Sequence, residues 1–384
     1  MHDVIVVGAG PAGLFTALRL ARGGRDVLVL EEHDVIGAPT HCTGVVSSEL
    51  QELYKVPEEV VLHRATSCRV VAPSGALAEF PSPGEEIAVL DRGAFDRALA
   101  AEAQDAGAVI ATGTRVDDIR VGRAVVEVGT GRSVHLARAV VLACGVAYRF
   151  HRRMEFGLPS AMLHTAQIEL DAAPADALEV HLGRQIAPEG FAWVVPIRRE
   201  GRSRIKAGLL VRGDARTRLR SFLASPRVAP RLTGPIGDPV LRLLPLAPPR
   251  RTYGARTLLV GDAAGLTKPL TGGGIFYSLF SANLAAETLE DGLAADDLGA
   301  RRLARYEAGW RQRLGREIRT GGWFRHLLAN FTDRELEAFV RAIGSDDVRA
   351  VIHQTAKFNW HRSVILSLVR QSGIKSILLR SLFR

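Results

Sequence analysis

Cysteine, lysine and long apolar runs are what this sequence has least of. Its three cysteines, Cys42, Cys68 and Cys144, lie too far apart in sequence for the short ligand spacing of a zinc site or an iron–sulfur cluster. Thiols this sparse fit a reducing, intracellular setting. No apolar run reaches the roughly 18 to 20 residues that a transmembrane helix needs. The apolar opening from Val4 to Leu18 has no basic segment before it and gives way to Arg19 and Arg22, so it reads as part of a fold and not as an export signal. The expected location is cytoplasmic, with peripheral contact to the inner face of the cell membrane left open.

Lysine is confined to Lys55, Lys206, Lys268, Lys357 and Lys375, so the formal net charge of +9 rests on arginine. A bias of this kind reflects composition rather than nucleic-acid binding, and no nucleic-acid partner is expected. From Val348 to Arg384 there is no Asp or Glu, while Arg349, Lys357, Arg362, Arg370, Lys375, Arg380 and Arg384 contribute +7. The apolar stretches Ser363–Val369 and Ile374–Phe383 are bordered by these cations. Such a helix could rest on an anionic lipid surface or pack against its own domain.

What is present is a large apolar fraction, 47% against 24% charged, the profile of a folded chain, and a length of 384 residues that suits two or three domains. Apolar runs at Val4–Val7 and Asp26–Leu30 flank a helical stretch from about Ala12 to Arg22, a βαβ opening. Between strand and helix stands Gly8-Ala-Gly10-Pro-Ala-Gly13. In this context Gly8 makes the tight turn, Gly10 lets backbone approach a pyrophosphate, and Gly13 lets helix pack on strand. Glu31 ends the second strand, where a carboxylate can accept from ribose hydroxyls. This much suits NAD as well as FAD. A second segment, Leu258-Leu-Val-Gly261-Asp262-Ala-Ala-Gly265 through Gly272-Gly273-Gly274-Ile275, favours FAD: Asp262 can bond a ribityl hydroxyl, and the helix beginning near Gly273 turns its positive end toward a reduced flavin. From about His164 to Val211 the pattern becomes strand-like with polar turns, as in an antiparallel sheet. Thr332-Asp-Arg-Glu335 is a capping box ahead of an amphipathic helix.

Together these segments resemble the geranylgeranyl reductase family of flavoproteins, within the group that shares the fold of para-hydroxybenzoate hydroxylase, over roughly residues 1–290. The resemblance implies an α/β fold, α+β overall: a Rossmann-like FAD-binding domain (1–60, 86–155 and 250–295), an inserted antiparallel-sheet substrate domain (61–85 and 156–249) and a C-terminal helical region (296–384). It places the FAD fingerprint on Gly8, Gly10, Ala12 and Gly13, the ribose acid on Glu31, a flavin-proximal pair on Cys42 and Thr43, an arginine on Arg92, an adenine contact on Val116, and the second flavin segment on Asp262, Gly272, Gly273, Gly274 and Ile275. The family's Tyr-x-Trp-x-Phe-Pro substrate motif falls on Phe191-Ala-Trp193-Val-Val195-Pro196. Trp193 and Pro196 are retained, the outer aromatics are not, and the following Gly-x-Gly has become Gly208-Leu-Leu210.

The activity implied is hydrogenation of isolated C=C bonds in prenyl chains of a lipid or isoprenoid, by hydride from reduced flavin N5. Cys42 is the candidate catalytic group, although a thiol titrating near 8.5 is a poor acid and a contact role comes first. Phe191, Trp193, Phe276 and Tyr277 are the candidate aromatic walls of a dry cavity. Cys68 and Cys144 read as small buried hydrophobes. With a single dinucleotide fingerprint, the reductant has to dock transiently, as an acidic ferredoxin or NAD(P)H. The competing readings are an FAD-dependent aromatic hydroxylase or monooxygenase, a halogenase, and a non-catalytic flavin-bound lipid carrier. Against the halogenase stands the missing first tryptophan of Trp-x-Trp-x-Ile-Pro and the absence of lysine between Lys55 and Lys206; against the hydroxylase, Gly265 where a histidine is usual.

Overall fold

A computed structural model describes the chain except residues 83–85, 132, 383 and 384. Phe383 and Arg384, counted above with the basic tail, therefore lie outside the described residues.

The strand His2–Val7, apolar and buried from Val4 onward, sits inside the first sheet, paired in parallel with Val134–Leu142 on one side and Val27–Leu30 on the other. Strands of this kind are apolar throughout because helices cover both faces. Val109–Ala111 extends the sheet beyond Val27–Leu30, and Thr257–Leu259 extends it beyond Val134–Leu142. The helix Pro11–Arg22 carries proline at its first turn, where no amide partner is needed. It packs between the helices Arg92–Asp105 and Ile275–Ala294.

A second sheet of seven strands runs Val240–Pro245, Met162–Asp171, Arg202–Val211, Phe191–Arg199, Leu178–His181, Ser67–Val71, Leu77–Pro81. All its pairings are antiparallel except that of Leu178–His181 with Ser67–Val71. A small third sheet joins Val45–Ser47, Ile87–Leu90 and Val61–Ala65.

Beyond Ile275 the chain is helical, and Thr332 and Glu335 form the reciprocal capping box read from sequence. The tail forms two helices, Arg362–Arg370 and Ser372–Leu382. Their apolar positions Ile365, Leu368, Ile374, Ile377 and Leu378 are buried in one cluster with Phe324 and Phe339. The apolar arc that could have met lipid is thus turned toward the protein, and Arg370, Lys375 and Arg380 face outward. Among the described residues no helix is long and apolar enough to cross a membrane.

Candidate functional site

The first βα turn is packed backbone against backbone. Gly8 adopts φ +105°, and a Cβ there would stand 2.5 Å from the Ala143 carbonyl oxygen; one on Gly13 would stand 2.0 Å from the Gly8 carbonyl oxygen. Only glycine allows the turn, the helix and the end of Val134–Leu142 to close up in this way. A Cβ on Gly10 would meet nothing within 4 Å, so Gly10 instead leaves room for a ligand. Glu31 is held by this turn: its carboxylate accepts from the Ala9 amide at 2.7 Å and from the His33 amide at 3.0 Å. Gly8, Gly10, Ala12, Glu31 and Val116 line one end of a single large cavity.

Farther along the same cavity come the loop holding Cys42 and Thr43, then Arg92, Asp262 and the Gly272–Gly274 turn before the helix Ile275–Ala294. Asp91 caps the helix Arg92–Asp105 by accepting from the Ala94 amide. That fixes Arg92 in the first turn, 9% exposed, with its Nη2 2.7 Å from Asp96 Oδ1. Burial works against the charge, but Asp96 and then Cys42 hold the guanidinium above its ordinary range. Among the described residues the buried Arg92 Nε has no hydrogen-bond partner; a buried donor in that state calls for a ligand. The Asp262 carboxyl also faces the cavity, and burial pushes it up to about 6.

The second sheet supplies the other wall. Phe191, Trp193 and Val195 alternate along one strand and line the cavity, as do Thr165 and Gln167 on Met162–Asp171. Pro196, next in sequence, falls on the opposite face and is not a lining residue. Gly208 pairs with Trp193 across the sheet, and a Cβ there would stand 2.4 Å from the indole ring. Gly208 thus makes the space that the tryptophan occupies. Trp193 Nε1 is buried without a partner among the described residues.

Phe276 and Tyr277 correct the sequence reading. On the helix Ile275–Ala294 it is Ile275 and Ser278, one turn apart, that face the cavity. Phe276 and Tyr277 point away, Phe276 meeting Trp360 edge-on and Tyr277 meeting it at a tilt, and Tyr277 Oη donates to the Asn359 carbonyl. Cys68 and Cys144 are half-buried and line the cavity, where burial pushes both thiols up to about 11.

Sequence reasoning missed most of the cavity. Its volume is about 1600 Å³, against roughly 300 to 1,000 Å³ for an ordinary ligand pocket, so it has room for a second ligand beside a cofactor. Past Cys42 and Trp193 it continues as a largely apolar arm between Val70 and Phe80 of the second sheet, with Leu182 just after its strand Leu178–His181, and Phe324, Leu328, Phe339, Ile352 and Leu368 of the C-terminal helices. Only the pattern of these helices was visible in the sequence, not which sheet they cover.

A family model described as FAD dependent oxidoreductase matches residues 3–80 and 82–256. The chain belongs to this family. Its cofactor is FAD, and the glycine cradle, the unpartnered Arg92 Nε and the Asp262 carboxyl all fit that group. The chain is 31% identical over 373 residues to a digeranylgeranylglycerophospholipid reductase 2 of Methanopyrus kandleri, covering 91% of this chain and 92% of the relative. Among solved structures, a geranylgeranyl bacteriochlorophyll reductase-like protein of Thermoplasma acidophilum aligns with a TM-score of 0.86 at 21% identity, over 99% of both chains. The halogenase PltM, solved with phloroglucinol and FAD, aligns at 0.70 and 15% identity, over 99% of this chain and 90% of that one. At such identities these two structures establish the shared fold alone. The chain is an FAD-dependent oxidoreductase.

Asp262 carries a testable cost. A carboxyl raised from 3.8 to about 6 binds its proton more tightly folded than unfolded, so it destabilises the flavin-free fold increasingly as pH rises from about 4 to 6 and fully above that. Asp262→Asn is expected to raise the thermal midpoint of the flavin-free protein at pH 7, by the equivalent of up to about 3 kcal/mol, while weakening FAD binding. Scanning calorimetry of the apoprotein together with FAD titration checks both signs.

Proposed function

We propose that this chain reduces isolated carbon–carbon double bonds of prenyl chains carried on a lipid or isoprenoid. The observation that carries this reading is the apolar arm opening from the FAD site, walled by the second sheet and the C-terminal helices. Its lining is mostly apolar, which suits a long flexible hydrocarbon, and the charged Arg184, Arg325, Asp346 and Arg349 that also line the cavity could meet a polar headgroup. The name of the Methanopyrus kandleri relative supports a lipid-borne substrate.

Bound FAD, once reduced, supplies the hydride. The protein's part is to align the chain and to keep water out, because an isolated alkene is not polarised and accepts hydride only where a proton is delivered to the same bond. Trp193 and Phe191, 5.9 Å apart between ring centroids, form the wall at the entrance to the arm. The Cys42 thiol stands in the flavin-side loop, where it can contact the cofactor or hand a proton from Sγ to the alkene.

The experiment is anaerobic. The flavin is reduced with dithionite, a geranylgeranyl lipid is added, and the expected result is flavin reoxidation with a mass gain of about two hydrogens per bond reduced. Reoxidation that needs oxygen and a phenol would replace this reading with an aromatic hydroxylase, and no turnover with any acceptor would replace it with a lipid carrier. The fold likeness to a halogenase brings one further point. Lys206, which bonds the Cys42 loop, spends its ammonium on the carbonyls of Thr43 and Leu90 and does not line the cavity, whereas Lys268 does line it, with its ammonium donating to the Phe358 carbonyl and Asn359 Oδ1.

A further inference from the structure

Lys206 is 3% exposed, in the middle of the strand Arg202–Val211. It stands opposite Val195, two residues from Gly208, and alternation puts it on the sheet face that carries Trp193 and Gln167. Its Nζ donates to the Thr43 carbonyl at 2.9 Å and to the Leu90 carbonyl at 2.9 Å. Thr43 belongs to the flavin loop, and Leu90 precedes Asp91, the cap that fixes Arg92. The neighbouring strand adds a second tie, from Thr43 Oγ1 to Gln167 Oε1 at 2.5 Å. Two adjacent strands of the second sheet thus hold the loop that carries Cys42, and one ammonium joins that loop to the head of the helix Arg92–Asp105.

We propose that Lys206 is a positioning residue for FAD: its ammonium cross-ties the Cys42–Thr43 loop to the Leu90–Arg92 junction, so that the two flavin-facing segments are presented together. The inference rests on the FAD assignment and not on the nature of the substrate.

Four charged or titratable groups surround the ammonium: Cys42 in the loop, Glu169 on Met162–Asp171, Asp91 at the helix cap, and Arg199 on Phe191–Arg199. Both carboxylates are already engaged by Arg199, and Glu169 also by Arg204. Burial pushes Lys206 down to about 8, against the upward pull of Cys42 and Glu169. A charged donor makes shorter and stronger bonds to carbonyls than a neutral amine. The cross-tie is therefore strongest well below pH 8 and weakens as pH rises through about 8.

The test is titration of apoprotein with FAD, followed by quenching of flavin fluorescence, between pH 6.5 and 9.5, with no prenyl substrate present. Wild type is expected to bind FAD more weakly as pH rises through about 8. Lys206→Met, which keeps the length and loses the donors, is expected to bind about tenfold or more weakly at pH 7, with the pH dependence gone. Lys206→Arg, always charged, is expected to bind at near wild-type strength at pH 7 and to stay flat to pH 9.5. A structural role for the side chain alone would weaken binding without removing the pH limb. Wild-type affinity in Lys206→Met, or an unchanged limb near pH 8 in Lys206→Arg, overturns the proposal. Should Lys206→Met fail to fold by far-UV circular dichroism, the Lys206→Arg profile decides. Because only FAD binding is read, failure here is separate from failure of the anaerobic prenyl assay.

Discussion

Gly13→Ala is expected to yield a colourless protein. The added methyl carbon would stand 2.0 Å from the Gly8 carbonyl oxygen and 3.0 Å from Ala143 Cβ, and the first of these neighbours is backbone that cannot rotate away. Relief requires the helix Pro11–Arg22 to lift from the strand His2–Val7, which moves the amides of the turn away from the phosphates that they hold. Overpacking of this kind costs about 1 to 3 kcal/mol or more, and the part of it that falls on the FAD-bound turn weakens FAD binding by up to roughly a hundredfold. Flavin absorbance relative to protein absorbance on purification reads the loss directly. Gly10→Ala is the control that separates two mechanisms. Its Cβ would meet nothing in the protein, so its thermal midpoint without flavin should match wild type while FAD binding weakens, because the methyl occupies the ligand's side of the turn. Gly13→Ala should lower both. Equal FAD content in Gly13→Ala and wild type would show that the turn does not need this close approach.

The FAD half of the site was legible because its chemistry is local. Gly8, Gly10 and Gly13 work within one turn, and Glu31 is one strand away, so spacing alone carries the information. Asp262 was marked by its place at a strand end before a glycine run, whereas Arg92 needed the family resemblance, although it too stands at an element junction, just after a helix cap. The substrate half was not legible for two physical reasons. Side-chain direction depends on period: Ile275 and Ser278 share a helix face, so their neighbours Phe276 and Tyr277 point elsewhere, and Pro196 fails for the equivalent reason on a strand, where Phe191, Trp193 and Val195 alternate toward the cavity. The apolar arm is the harder case. Val70 and Leu328 meet the same cavity from positions far apart in the chain, and no local signal says that the helices after Ile275 will cover the strands Ser67–Val71 and Leu77–Pro81. The same uncertainty left the tail balanced between lipid and protein: Ile365, Ile374 and Leu378 are buried against the protein, while Leu379 of the same tail is exposed.

If the arm receives a prenyl chain, its bore should set the chain length accepted. Leu328 is half-buried at the end of the helix Ala300–Ala329 and lines the arm across from residues of the second sheet. Leu328→Trp fills that space with a rigid ring. The fold tolerates it to the extent that the ring enters the void, while a long chain must then bend or stay partly in water. Leaving two or three methylene-sized units exposed costs about 0.8 kcal/mol each. With the strain of crowding added, the expected result is a fall of about a hundredfold in kcat/KM for a geranylgeranyl substrate. A dimethylallyl compound, too short to reach Leu328, should be reduced at an unchanged rate, and the flavin spectrum should not shift. Leu328→Ala should leave the long chain accepted, with KM raised through lost contact rather than kcat lowered. Steady-state assays on the two chain lengths decide the matter: an equal loss on both substrates would place the defect in folding or in the flavin site, and no loss on either would mean that the prenyl chain does not enter this arm.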